Sequence, residues 1–302
     1  MINKRAVLLI ATLISFLIFT ACGANKEEIQ SEFSTMLSQE RITSEHIRKT
    51  AEFLDENIGK LNEEEATVMV VAYEEYINRF INEYDDEVTL QSLGVYFDYD
   101  KGYIDTEKIE VSELKTYYED IKYGCLMVKY YEEALELRVD YTKLLKKYGE
   151  HISDSIYRLY ELNADITERP MTENASLLIS WEELLDRAFR AESLINDYPE
   201  DEIIRENVMW LYKSYLNSLL MGATNTPIFN YSTQEFSDEA KQAYISFITS
   251  HPDSTITWML KEYFTYLNSI DYKLNFNDST MSKVFFDTCD WLVSEAEKRV
   301  LE

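Results

Sequence analysis

Asp98-Tyr99-Asp100-Lys101-Gly102-Tyr103-Ile104-Asp105 carries acids at alternating positions, a spacing that suits oxygen coordination of calcium. A twelve-residue calcium loop needs oxygen ligands at positions 1, 3 and 5, Gly at 6 and Glu at 12. Counted from Asp98, position 5 is Gly102, position 6 is Tyr103 and position 12 is Glu110. Only Asp98, Asp100 and Glu110 fall in register. The expectation is an acidic turn, with weak binding of Ca2+ where that ion is plentiful. His46, His151 and His251 are scattered, and none has a second His or a Cys at i+3 or i+4, so zinc spacing is missing. They read as surface histidines. No Gly-x-Ser-x-Gly, phosphate-cradling glycine loop or dinucleotide fingerprint occurs. With 56 acidic residues, any two could be named as general acid and base, so no pair is specific. No catalytic residue is assigned, and the chain reads as non-enzymatic.

Binding chemistry is better represented. The chain has 23 Tyr, 14 Phe and 4 Trp. Aromatics can line a groove for peptides or sugars, but most of these follow helical faces, as Tyr118, Tyr131, Tyr212, Tyr215 and Phe264 do. Packing therefore accounts for most of them. The stretch MGATNTPIFNY, residues 221–231, differs: it is polar and aromatic and longer than a connection between two helices requires. Asn225, Thr226, Phe229 and Tyr231 are the candidate binding residues. The plainer alternative has Ile228 and Phe229 plugging a helical hairpin.

The elements that position these residues are read as helices. Seven glycines and four prolines are few, where average usage would give roughly twenty and fifteen. Tightly turned sheets and doubly wound α/β folds need more. Residues 42–58 read as one helix. Asn62 followed by Glu63, Glu64 and Glu65 reads as an N-cap and an acidic first turn, with Val68, Val71, Tyr73, Ile77 and Ile81 on the apolar face beyond. Leu114, Tyr118, Ile121, Cys125, Val128, Tyr131 and Leu135 recur at three and four, which predicts a long helix over 112–148 capped by Ser112. Residues 85–110 read as a loop with a short hairpin or helical turn.

All four prolines and all four tryptophans lie from Pro170 onward. The expected organisation is a leading segment 1–21, a tether and first helical segment 22–41, a long-helix region 42–169 and a helical-hairpin region 170–302. Within the last, SLINDYPE at 193–200 is echoed by SFITSHPD at 246–253, and Tyr215-Leu216-Asn217-Ser218 by Tyr266-Leu267-Asn268-Ser269. Each proline stops one helix just before acids open the next. Trp181 and Leu184 have the first spacing of a tetratricopeptide unit. The later positions of that unit do not follow, and 53 residues is too long a period, so the family is not assigned.

The N-terminus supplies an address. Lys4 and Arg5 precede an uncharged, mostly apolar run over 6–20, then Ala21-Cys22-Gly23 and the polar Asn25-Lys26-Glu27-Glu28. This resembles the lipobox of bacterial lipoproteins, with Thr20, Ala21 and Cys22 in place and Phe19 where Leu is usual. The resemblance covers 22 residues and implies cleavage before Cys22, diacylglycerol on its thiol and anchoring to the membrane. The rest of the chain would lie on the extracellular face of the bacterial cell membrane. The competing readings are an uncleaved anchor helix and a secreted chain.

The formal net charge is −27, and −29 once Lys4 and Arg5 are removed. That charge excludes nucleic acid as a partner, since no basic patch offsets it. The plain reading of this charge is solubility, and the sharper one is attraction of cationic peptides or divalent cations. Cys125 and Cys289 do not make a disulfide scaffold, and their pairing is left open; Cys125 is expected as a buried thiol. The fold expected is all-α, an extended helical bundle or irregular array of hairpins. The function expected is a cell-surface lipoprotein that binds or scaffolds a protein or peptide. The alternatives are a helical solute-capturing lipoprotein of an uptake system and an enzyme of envelope maintenance.

Overall fold

A computed structural model describes residues 24–83, 87–131 and 133–302. The segment 1–23, with Cys22, lies outside them. The fold is all-α: twelve α-helices are described, with only short two-stranded ladders between them. No helix of the described residues is long and apolar enough to cross a membrane. The chain divides into two compact units, Met1–Ser153 and Asp154–Glu302. Arg169-Pro170, where the composition shifts, falls inside the second unit.

In the first unit, α1 (Ala24–Leu37), α2 (Ser44–Asn57) and α3 (Glu63–Glu83) pack on one another. Each start has a chemical cause. The Thr43 hydroxyl accepts from the His46 N–H, and His46 Nδ1 accepts in return from the Thr43 N–H, both at 3.3 Å. Asn62 Oδ1 accepts from the Glu65 N–H and Glu65 from the Asn62 N–H, both at 2.9 Å. This is the N-cap expected at Asn62, completed as a reciprocal pair. The buried face of α3 includes Met69, Val70, Tyr73, Tyr76, Ile77 and Phe80. Val68, Val71 and Ile81 flank it half-buried.

Residues 87–110 hold α4 (Glu87–Ser92) and a minimal hairpin, β1 (Phe97–Asp98) with β2 (Tyr103–Ile104). The expectation over 85–110 is a loop with a short hairpin or a helical turn, and the described part of it, from residue 87, holds both.

The long helix expected over 112–148 does not form. Its place is taken by α5 (Ser112–Tyr123), a hairpin of β3 (Leu126–Tyr131) and β4 (Ala134–Val139), and α6 (Tyr141–Tyr148). Leu126, Val128, Leu135, Leu137 and Val139 are buried in strict alternation, with Leu126 opposite Val139 and Val128 opposite Leu137. Cys125, Val128 and Tyr131 also satisfy a helical spacing, so both periods fitted the same letters. The break is made at Cys125 and Glu133, whose φ values of 61° and 71° are left-handed without glycine to announce them. Ser112 is the first helical residue of α5; the cap position is Val111, and no side chain caps it.

Gly124 closes α5 as its C-cap, and nothing larger than glycine fits there. A Cβ there would lie 2.2 Å from Ile47 Cγ2 on α2, and the Tyr73 hydroxyl donates to the Gly124 carbonyl at 2.8 Å. α2 and α3 thus both reach the end of α5 at this one residue.

The second unit contains α7 (Asp154–Glu168), α8 (Trp181–Asp197), α9 (Glu202–Met221), α10 (Asp238–Ser250), α11 (Thr255–Ser269) and α12 (Ser279–Val300). Two small hairpins intervene: β5 (Thr172–Glu173) with β6 (Ser176–Leu177), and β7 (Gly222–Ala223) with β8 (Thr226–Pro227).

The 53-residue echo is a backbone repeat. Tyr198 closes α8 at φ −131°, ψ 58°, and His251 closes α10 at φ −128°, ψ 62°. The Tyr198 N–H donates to Leu194 and the Asp201 N–H to Tyr198; His251 and Ser254 repeat both bonds on Phe247 and His251. Asp201 and Ser254 then cap α9 and α11. On α9 the buried stripe runs through Ile204, Val208, Leu211 and Tyr215, one residue round from Ile203, which is exposed.

Glu192 of α8 is the polar centre of this unit. It is buried, accepts the Thr255 and Ile256 N–H groups at 2.9 and 3.0 Å, and accepts the Tyr212 hydroxyl at 3.0 Å. One carboxylate therefore caps α11 from another helix and ties α9 to both.

Candidate functional site

The loop that the sequence singled out is a packed junction. Asn225 and Thr226 sit on the β7–β8 hairpin and bind the neighbouring β5–β6 hairpin. The Asn225 N–H donates to the Ala175 carbonyl at 2.8 Å, its side-chain amide to Asn174 at 2.8 Å, and Thr226 Oγ1 accepts from the Leu177 N–H at 3.1 Å. Phe229 is fully buried, edge-on to Phe236 and Phe285. Tyr231 is 59 % exposed and rests on Phe276. Asn225 and Tyr231 therefore reach solvent, while Phe229 anchors the loop from beneath.

Asp98, Asp100 and Glu110 do not come together as a ligand set: among the described residues no group of three or more His, Cys, Asp or Glu is placed to hold a metal ion. Asp98 is held by Lys101 instead, whose ammonium lies 3.0 Å away, and this contact lowers the Asp98 carboxyl below its usual range. His251 is packed against Phe189 and Phe247. Cys125 and Cys289 are free buried thiols, each pushed up to about 12 by burial, which leaves them inert at neutral pH.

The first unit holds a larger concavity that no local motif announces. A cleft of about 1020 Å³ is bounded by the α1–α2 connection (Glu40, Arg41, Ile42), the end of α3 (Phe80, Glu83), α4 and the start of α5 (Val111, Glu113, Leu114, Tyr117). Its positions follow from the helix starts and stops above. The cap at Thr43 turns the chain into α2, and the guanidinium of Arg79 donates to the Leu37 and Gln39 carbonyls at 3.1 and 2.9 Å, holding the α1–α2 connection against α3. Phe80 and Leu114 are buried and form an apolar floor, and Val111 stands 51 % exposed at the edge. Glu40, Glu83 and Glu113 are exposed on the rim against one guanidinium, Arg41. The rim is therefore net negative over an apolar base, which suits an occupant that is cationic with an apolar side.

A second groove, of about 660 Å³, lies in the other unit beside Trp210, which is 70 % exposed. Arg205, Glu206, Met209, Lys213 and Glu297 line it, and Lys213 pairs with Glu297 at 2.7 Å. Its charges balance, so it makes no comparable selection by sign.

No family model, curated protein or solved structure matches this chain.

Proposed function

We propose that the protein is a lipid-anchored, non-enzymatic binding protein of the bacterial cell surface, and that its partner is a cationic, amphipathic peptide or protein segment seated in the cleft of the first unit. The observation that carries the reading is that cleft: an apolar floor of Phe80 and Leu114 under a rim of three glutamates and one arginine, on a chain of formal charge −27. Apolar burial supplies affinity, and the acidic rim supplies steering and selection by sign. The anchor rests on the sequence around Cys22. Phosphate-rich partners are disfavoured by the same charge.

Isothermal titration of the purified protein with a peptide alternating Lys or Arg with Leu or Phe tests the reading, beside a peptide in which Glu replaces the basic residues. Saturable binding of the first alone, weakening as salt rises from 50 to 300 mM, is the expected result. Equal binding of both peptides, or of neither, would count against it. A small neutral solute that raised the melting temperature, with no peptide binding, would favour solute capture instead.

A further inference from the structure

We infer that the first unit stands on the bilayer by the N-terminal ends of α1 and α3 and holds its cleft away from the lipid. The inference rests on the anchor reading of Cys22 and deepens it: the partner of this end of the molecule is the lipid surface itself. Only Gly23 separates Cys22 from Ala24, the first residue of α1. Two residues span at most about 7 Å. A flexible linker long enough to decouple a domain from its anchor is therefore missing.

α1 is also part of the unit's core rather than an arm. Ile29 and Phe33 are 5 % and 3 % exposed, and Phe33 stacks on Phe53 of α2. Its two ends are pinned to α3 in parallel. At the N-terminal end the Lys26 ammonium lies 2.7 Å from Glu65 in the first turn of α3. At the other end Arg79 holds the Leu37 and Gln39 carbonyls. An acyl chain on Cys22 thus fixes one end of a rigid helix pair at the headgroups.

Lys26, Glu63 and Glu64 lie at that end. Glu40, Phe80, Glu83 and Glu113, which line the cleft, lie at the other. From Glu65 to Glu83 the rise of α3 carries the chain about 27 Å. A surface protein that captures a cationic segment from outside gains by this placing, because the cleft mouth is not blocked by lipid.

The test uses the full chain purified from bacterial membranes and reconstituted in vesicles of three parts neutral and one part anionic phospholipid, doped with a nickel-chelating lipid. A fluorophore is attached at Glu64→Cys or at Glu113→Cys. Cys125 and Cys289 are buried and stay unlabelled in the native protein. The expected result is quenching by headgroup nickel at least threefold stronger at position 64 than at position 113. Intact mass of the same samples reports acylation. An acylated chain with equal quenching at the two positions, or the reverse order, overturns this inference alone. A chain that keeps residues 1–21 and carries no lipid overturns the anchor reading and this inference with it.

Discussion

Replacing Glu192 tests whether one buried carboxylate organises the second unit. Its two oxygens accept three bonds, from Thr255 N–H, Ile256 N–H and the Tyr212 hydroxyl, all between 2.9 and 3.0 Å. Hydrogen bonds to a charged group contribute about 1.5–3 kcal/mol each net of water, and they are not additive. Favourable charge at a helix N-terminus adds up to about 2 kcal/mol in buried geometry. Against this stands the cost of keeping the carboxylate out of water. Ser254 Oγ also accepts from the Ile256 N–H at 3.1 Å, so that donor keeps a partner when Glu192 is removed. The balance gives about 3–4 kcal/mol lost for Glu192→Ala, or roughly 10 °C in Tm. Glu192→Gln should lose about 2 kcal/mol, because its amide NH2 must face an N–H or displace the phenol. Tyr212→Phe removes one donor and should cost about 1 kcal/mol. Guanidinium unfolding followed by tryptophan fluorescence reads these differences, since all four tryptophans lie in this unit. If Glu192→Ala changed stability by less than about 0.5 kcal/mol, the reasoning about this cap would be refuted.

Gly124→Ala should destabilise the first unit by about 1–3 kcal/mol in urea unfolding, since its Cβ must displace the buried Ile47 side chain. Ala175→Gly should stabilise by about 1 kcal/mol, because Ala175 holds φ at 57° where only glycine is unstrained; a calorimetric Tm reads it. Alkali should unfold the protein. Burial raises Tyr73, Tyr244 and Tyr263 well above 10 and both thiols to about 12, so from pH 9 upward the unfolded chain gives up protons that the native one keeps. Stability is thus unaffected by these groups below pH 9 and falls as pH rises through 9–12. The urea midpoint against pH checks this, and a flat profile to pH 11 contradicts it. Cys125 and Cys289 should resist Ellman's reagent at pH 8 until the chain is denatured.

Much of the fold was legible because helix starts are local chemistry. Of the two caps read from the sequence, Asn62 caps the helix it precedes and Ser112 does not, while Tyr198-Pro199 and His251-Pro252 stop two helices in the same way. The hairpin over 126–139 was not legible, because its strands obey both a two-residue and a helical spacing, and its breaks fall on Cys125 and Glu133 rather than on glycine. Glu192 was hidden for another reason: its cap acts on a helix 63 residues away. The cleft has the same character. Glu40, Glu83 and Glu113 come from three parts of the chain, and only the parallel packing of α1 and α3, with α5 packed on α2, brings them to one rim. The loop 221–231 did carry a local signal of irregular structure, and the structure spends much of that signal on burying Ile228 and Phe229.

If the acidic cleft, and not the acidity of the chain at large, captures a cationic segment, charge reversal weakens binding only at the cleft. Peptide affinity is therefore to be measured for Glu83→Lys/Glu113→Lys beside Glu63→Lys/Glu64→Lys, at 100 mM salt. Both pairs change the net charge by the same amount, one at the cleft and one at the far end of α3. Reversing the two rim charges should cost about 2 kcal/mol, or roughly thirtyfold in Kd, while the far pair should change Kd by less than about threefold. Equal losses in the two variants would mean that binding follows net charge alone and that the cleft is not the site.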